Sequence, residues 1–511
     1  MERISSRHEG DLKGRLAPIE DAQPVAVAVI VEPASAHLAA HQHTAWMLVN
    51  LLVRAESVVQ VVRVICPPAV PLAGRVVPLA ARQEPLDQAL VQGGQAVGAV
   101  PVALATSAEP GDVMLVVGAQ HGVDTPRPWR RRYVTGFGWW GGVSNGPVAA
   151  PAAAHGSPLP FGPYVAAALA VAEIFLHVRL PQHPVSADAP AYGWDCWSQN
   201  LSGPVIADAP AALEGLDLSG TALAGVGAVG STWVHTLWAT PDLRGKVLLA
   251  DADDKGVTVT NLNRCPPFGK QHLNHPKADS AATLDDCTIA WDPRNARFEA
   301  LGITPNLLVS AVDTNRAREV LQGRYPARIL SASTNDLRAE ALRVGPPGVG
   351  ACLRCYNVPE AFAGDDDLRA QARAGGEETV AALAAEHGVS PTEVQHWLGR
   401  GECGEVGTRL LASLREQAAG DTPRFAVGFT SVMAGTLLAA ETIKILLGQP
   451  LRAAAPAHNN VTFQFLKPTA PANSTGVLAR DGKCPACSPT NHAVDVWCRR
   501  DSDFVPPRSQ E

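Results

Sequence analysis

Residues 221–231 read TALAGVGAVGS, a stretch of small and apolar residues that runs without a charge through Gly225, Gly227 and Gly230. TALAG has the makings of a buried strand, and a helix is expected from about Ser231. KVLLAD (246–251) supplies the next strand and ends in Asp251, 26 residues after Gly225. Glycines in this setting permit a tight turn and bring backbone N–H groups against phosphate at a helix N-terminus. A carboxylate at the end of the second strand suits ribose hydroxyls. Taken alone, the pattern specifies only a nucleotide, and a nicotinamide oxidoreductase would satisfy it.

A similar arrangement lies upstream. PVAVAVIV (24–31) reads as a buried strand, followed by an amphipathic helix over 37–52 and a strand over 58–65. AAALAVAEIFLHV (166–178) aligns with AGTLLAAETIKIL (434–446), pairing Ala166 with Ala434, Leu169 with Leu437, Ala172 with Ala440 and Glu173 with Glu441. DVMLVVGAQ (112–120) aligns with NLLVSAVD (306–313), pairing Leu115 with Leu308 and Val116 with Val309. Strands alternating with helices argue for parallel α/β architecture. The fold expected is therefore α/β, two Rossmann-like halves forming a pseudo-dimer in one chain. The second half carries extra residues, and the charged, alanine-rich run from about 359 to 421 reads as a small helical insertion. The boundaries expected are 1–205 for the first half, 206–358 and 425–487 for the second, 359–424 for the insertion and 488–511 for a tail. Prolines and glycines over 181–219 suit a crossing between halves.

Composition narrows the function. The chain has 511 residues, 46% hydrophobic and 18% charged, with a net charge of −7. That balance is globular, and no global field draws the chain to nucleic acid or an anionic membrane. Apolar runs such as 163–178 fall short of the ~20 residues of a spanning helix. MERISSRHEGDLKGR (1–15) has no apolar core of a secretory signal. Ten cysteines, four of them in two C-x-x-C pairs, favour a reducing cytoplasm.

Beyond Asp251 the sequence departs from what a dinucleotide site needs. It runs through Asp253 to Asn261-Leu262-Asn263-Arg264 and on to Lys277. Two cations and an amide just past a ribose carboxylate suit a triphosphate, whose departing pyrophosphate gathers negative charge for Arg264 and Lys277 to stabilise. Asp313 ends the strand NLLVSAVD, and a carboxylate beside phosphates fits a magnesium ligand.

Through GVGAVGS, DADDKGVTVTNLNR, HPKAD, SAVDTNRA, CLRCYN, SVMAGTLLAAETIKILLG and CPAC, residues 218–487 resemble the ThiF/MoeB/ubiquitin-activating enzyme superfamily. The resemblance implies adenylation of the C-terminal carboxylate of a ubiquitin-like protein by Mg-ATP. It gives the ribose to Asp251, the phosphates to Asn261, Arg264 and Lys277, and magnesium or the adenylate to Asp313. Two departures stand out. The loop between Asp253 and Asn261 is about two residues longer than usual, so Asp251 and Asp253 compete for the ribose. Cys265 replaces the usual Gln after N-L-N-R. The first half has Glu32-Pro33-Ala34-Ser35-Ala36-His37 where a glycine turn belongs, and Gln120 where the second half has Asp313. It resembles the inactive partner of pseudo-dimeric activating enzymes. Arg7, Arg15 or the run Arg130–Arg132 are its candidates for an arginine reaching the ATP.

Cys352, Cys355, Cys484 and Cys487 form two C-x-x-C pairs able to hold structural zinc tetrahedrally. A separation of 129 positions between the pairs, from Cys355 to Cys484, is typical of the superfamily. Cys403, in the insertion and just before an apparent helix, is the candidate acyl acceptor. Family members that pass beyond adenylation keep such a cysteine there. Cys265 and Cys287 are its rivals, and Cys66, Cys196 and Cys498 read as packing residues. The function expected is cytoplasmic: ATP-dependent activation of a ubiquitin-like protein, thioester formation and delivery to a conjugating enzyme, with no nucleic-acid or membrane partner and room for a homodimer. The resemblance extends to bacterial conjugation systems, some tied to phage defence. Adenylation of a sulfur carrier without a thioester is the alternative; a nucleotide-binding scaffold is the non-enzymatic one.

Overall fold

A computed structural model describes residues 22–118, 130–148, 156–180, 191–201, 209–285, 288–357, 365–400, 406–407, 410–411, 414 and 425–504. The first half contributes β1 (Val25–Val31), β2 (Val59–Ile65), β3 (Val102–Leu104), β4 (Val113–Val117), β5 (Arg131–Phe137), β6 (Trp140–Ser144), β7 (Ala191–Asp195) and β8 (Asn200–Leu201). The second contributes β9 (Thr221–Ala224), β10 (Gly245–Ala250), β11 (Ile289–Arg294), β12 (Leu307–Ser310), β13 (Arg328–Asn335), β14 (Arg338–Arg343), β15 (Asn460–Gln464) and β16 (Ser474–Gly476). The sheets run β3-β2-β1-β4-β5-β6-β7-β8 and β11-β10-β9-β12-β13-β14-β15-β16, the same order twice. In each, five strands are parallel and three continue antiparallel. The two aligned apolar strands of the sequence, β4 and β12, occupy equivalent places.

Parallel strands covered on both faces need apolar residues throughout. In β9 three of the four residues, Ala222, Leu223 and Ala224, are apolar, and all four are buried. Helices Phe161–Arg179 and Gly428–Leu446, the aligned pair of the repeat, are each 19 residues long. Each packs on the antiparallel strands of its own sheet and against the other helix. By length and composition either could cross a membrane, but 89% and 100% of their most apolar windows are buried in the fold. A helix apolar on all sides is a core helix here.

Two local expectations are corrected. The helix after β1, Ala39–Leu52, is not amphipathic: twelve of its 14 residues are buried, because it packs both within its own half and against the second. The segment 181–219 is not only a crossing, since β7 and β8 within it close the first sheet. Tyr192 and Trp194 are strand-favouring aromatics, and Trp194 is fully buried.

The halves meet through polar groups set in apolar surroundings. Gln199 of the first donates to Glu441 Oε1 at 2.7 Å and accepts from Trp194 Nε1 at 3.1 Å. Lys444 Nζ reaches Glu441 at 2.9 Å and the carbonyl of Trp197 at 2.8 Å. Arg75 of the first half places Nε 2.5 Å from the Trp238 carbonyl and Nη2 2.8 Å from that of Thr240, at the C-terminus of helix Ala228–Ala239. A cation there complements the helix dipole.

Residues 358–424 form a separate compact unit. Helices Asp365–Ala374, Gly376–His387 and Pro391–Arg400 pack round Leu383, Val394 and Leu398. Ser390 and Glu393 cap the third helix reciprocally, at 2.9 and 3.2 Å.

His43 and His235 lie in the seam, with Tyr164 Oη 3.4 Å from His235 Nε2. Burial holds both imidazoles at about 3, helped by the charge of Arg75 on His43 and of His43 and Arg54 on His235. Unfolded, they titrate near ~6.5. Between those values the unfolded chain binds more protons, so stability falls as pH drops through that window. Replacing His235 with Gln removes one such proton and flattens the acid dependence of urea unfolding by ~1.4 kcal/mol per pH unit between pH 6 and 4. An unchanged slope contradicts a neutral His235.

Candidate functional site

Strand order alone creates a crevice in the second half. β9 pairs in parallel with β10 on one side and β12 on the other. The chain therefore steps to one side of β9 for β10 and β11 and crosses to its other side for β12, and a gap opens at the carboxyl ends of the strands at this reversal. Ala224 lies beside Ala250 and Ser310, so Gly225, Asp251 and Ala311 form the next row, at the edge of that gap. The Gly225 N–H donates to Ala250 O, and the Ala311 N–H to Ala224 O, both at 2.9 Å.

The turn above this row demands its glycines. Gly225 has φ +91°, and a Cβ there would lie 2.9 Å from Ala311 O. At Gly230 a Cβ would lie 2.0 Å from Gly225 O. Around Gly227 a Cβ would meet nothing within 4 Å, so this side of the turn is open. The helix starts at Ala228, three residues before the expected Ser231, and Gly227 caps it without a side chain. First-turn amides of a helix lack intrahelical acceptors and suit an anion.

Asp251 is tied into the turn. Its Oδ2 accepts the Val226 N–H at 2.7 Å and its Oδ1 accepts that of Asp253 at 3.1 Å. Asp253 in turn pairs with Lys277, which begins the helix Lys277–Ala282 and is buried. Burial alone would raise the Asp253 carboxyl, but Lys277, aided by Lys255, holds it below the ordinary carboxylate range. Asn261 Oδ1 accepts from the Thr258 amide at 2.8 Å and closes a 3₁₀ turn over Val259–Asn261. Arg264 Nη1 donates to Thr260 O at 2.9 Å and to Asn263 Oδ1 at 3.2 Å. Asp313 is exposed, two residues beyond Ala311, and among the described residues it makes no ion pair. The structure thus joins Asp251 to the glycine turn and Lys277 to Asp253, and seats Asn261 and Arg264 on one loop.

The same edge of the first sheet is filled. Gly118, after β4, has φ +113°, and a Cβ there would lie 2.6 Å from Glu32 Oε2. Ser35 Oγ donates to that oxygen at 3.1 Å from the turn Pro33–Ser35. Gln120, Arg7 and Arg15 lie outside the described residues. The Arg130–Arg132 run is engaged within the first half: Arg130 Nη1 donates to Gly111 O at 2.5 Å, Arg131 lies over the Tyr133 ring, and buried Arg132 binds Glu173 at 2.9 Å.

Four cysteines converge. Sγ separations are 3.6 Å for Cys352–Cys355, 3.7 Å for Cys352–Cys484 and 3.3 Å for Cys355–Cys487, with all four atoms within 4.8 Å. A thiolate tetrahedron with metal–sulfur bonds of ~2.3 Å has edges of ~3.8 Å, so the set fits one ion. Amides of Cys355 and Asp481 point at Cys352 Sγ and Cys355 Sγ, each at 3.4 Å. The helix Ala493–Asp503 docks beside the cluster through buried Trp497. Cys403 and Cys287 lie outside the described residues. Cys265 and Cys196 are fully buried, Cys66 is half-buried and Cys498 exposed.

Asn50 and Arg54 were not legible as site residues. Both belong to the first half and hold the loop of Arg264 by its backbone carbonyls. Backbone acceptors leave no pattern in a sequence.

The ThiF family matches residues 206–486, and the BilD N-terminal domain matches residues 26–189. Uncharacterized protein y4jF of Sinorhizobium fredii (strain NBRC 101917 / NGR234) is 25% identical over 346 residues, or 59% of this chain. The chain spans 63% of that relative's length. Crystal structures of E. coli MccB with MccA-N7isoASN and with ATP are similar at 13% identity, with TM-scores of 0.36 and 0.34. Each similarity covers 53% of this chain, and 67% and 68% of the respective MccB chains. With more than half of its residues matched by that one family model, the chain belongs to the ThiF family.

Proposed function

We propose that the chain adenylates the C-terminal glycine carboxylate of a ubiquitin-like protein with Mg-ATP, then takes the acyl group onto Cys403 as a thioester for a conjugating enzyme. The observation that carries this reading is the glycine turn braced by Asp251, followed by a loop bearing Asn261 and Arg264 and by a helix that begins at Lys277. Amides beside Gly225, Gly227 and Gly230 hold phosphate oxygens. With Asp253 matched to Lys277, Asp251 falls to the ribose. A carboxylate oxygen of the carrier attacks the α-phosphorus and the bond to the bridging oxygen breaks. Asn261, Arg264 and Lys277 bind the outer phosphates and stabilise the departing pyrophosphate. Asp313 would hold magnesium, which when bound would neutralise phosphate charge. The Cys403 thiol gives its proton to solvent, the resulting thiolate attacks the acyl carbon, and the bond from that carbon to the phosphate oxygen breaks to release AMP. The first half activates nothing in this scheme, because Glu32 repels phosphate and Pro33 lacks an N–H. Membership of the ThiF family supports adenylation; the thioester step rests on the insertion and its cysteine. Cytoplasmic antiphage conjugation is the setting that suits such an enzyme.

Incubation with ATP, magnesium and a ubiquitin-like protein encoded nearby is expected to give a thiol-sensitive adduct that Cys403→Ala abolishes while ATP–pyrophosphate exchange persists. Exchange without any adduct in the unmodified chain would turn the reading toward sulfur-carrier activation. Arg264→Ala should lower kcat for exchange ~100-fold or more, the scale of removing one preorganised charge stabiliser. Unaltered exchange would remove Arg264 from the site.

We further propose that Cys352, Cys355, Cys484 and Cys487 bind zinc and so pin the C-terminal helix. Elemental analysis should find one zinc per chain, lost in Cys487→Ser, and chelation should speed amide exchange in Ala493–Asp503. A helix indifferent to the chelator would contradict the pinning.

A further inference from the structure

The guanidinium of Arg54, just after the helix Ala39–Leu52, is fully buried in the seam. Its Nε donates to Asn50 Oδ1 at 2.8 Å. Its Nη1 donates to Leu262 O at 2.5 Å, and its Nη2 to Pro266 O at 2.9 Å and Phe268 O at 2.8 Å. Asn50 Nδ2 adds a bond to Pro266 O at 2.9 Å. Leu262 and Pro266 stand two residues before and two after Arg264. The far end of the loop also lies against the first half, where Lys270 Nζ sits over Gly98 at the C-terminus of helix Leu86–Val97. Burial pulls the Arg54 guanidinium down to about 9, and it stays charged at neutral pH. Burying a cation costs more than an apolar residue of similar size would. A planar fork of donors is what three converging carbonyls require, and a lysine cannot reproduce it.

We propose that Arg54 is a positioning residue: without touching nucleotide, the first half sets the place of Arg264 by gripping the carbonyls on either side of it. This rests on the adenylation reading, in which Arg264 meets the departing pyrophosphate. A misplacement of ~1 Å at such a group can cost ~100-fold in rate.

The test is a double-mutant cycle on the full chain with exchange as readout. Arg54→Lys should lower kcat about 10-fold or more with the KM for ATP changed less than ~3-fold. Combined with Arg264→Ala, it should cost less than ~2-fold beyond Arg264→Ala alone, since both act through one group. Losses that multiply, or a KM effect alone, would overturn the proposal. Amide exchange in the nucleotide-free chain tests the grip separately. Arg54→Lys should speed exchange over 262–268 about 10-fold and leave β9 and β12 unchanged. Unaltered protection over 262–268 overturns the grip, whereas fast exchange there in a chain whose unmodified form lacks pyrophosphate exchange overturns only the adenylation reading. Should Arg54→Lys fail to fold, Asn50→Ala, which removes one bond to Pro266, serves for both arms with smaller shifts in the same directions.

Discussion

Parallel pairing of β9 with both of its neighbours is the constraint on which the candidate site depends. It fixes the row Gly225, Asp251 and Ala311 at one sheet edge and leaves a gap above it. Within the turn itself space is scarce: a side chain on Gly230 would overlap the Gly225 carbonyl. The backbone can therefore reach a ligand closely, while Asp251 holds the turn through the Val226 amide. The segment from Asp253 to Lys277 is tied to that fixed edge, the Asp253 amide bonding to Asp251 and its carboxylate pairing with Lys277.

The two halves share a strand order and differ in what they place at this edge. In the second half a glycine turn faces open space. In the first, Glu32 lies over Gly118 and is tied to Ser35. One topology thus yields an anion-friendly edge and an anion-hostile one through a handful of residues. What the first half retains is contact with its partner: Arg54 and Arg75 direct their donors into second-half carbonyls, one at the loop of Arg264 and the other at the far end of the glycine-turn helix. Buried hydrogen bonds to a charged group are among the stronger ones, ~1.5–3 kcal/mol each, so the seam is costly to pull apart.

Much of this was written in residue patterns. The duplicated α/β fold was legible because unbroken apolar strands and small-residue helices recur in order, as at β4 with β12 and at Glu173 with Glu441. The glycine turn and the cysteine pairs were legible because each needs a residue type that nothing else replaces. Other features left no such mark. The helix Ala39–Leu52 carries His and Gln yet is buried, since its polar groups find partners within the fold, as Gln42 does at Pro71 O, 2.9 Å away. Strands β7 and β8 were hidden among prolines and glycines. Arg54 could not be read at all, because its partners are carbonyls that every residue carries.

The central claim is that a nucleotide binds at the edge of the second sheet and not at its counterpart in the first. Hydrogen–deuterium exchange of the full chain with and without Mg-ATP addresses it directly. Binding as described slows exchange at amides 226–231 and over the loop of Arg264, and leaves residues 32–37 as they were. Slowing at 32–37, or none at 226–231 under saturating nucleotide, would contradict it.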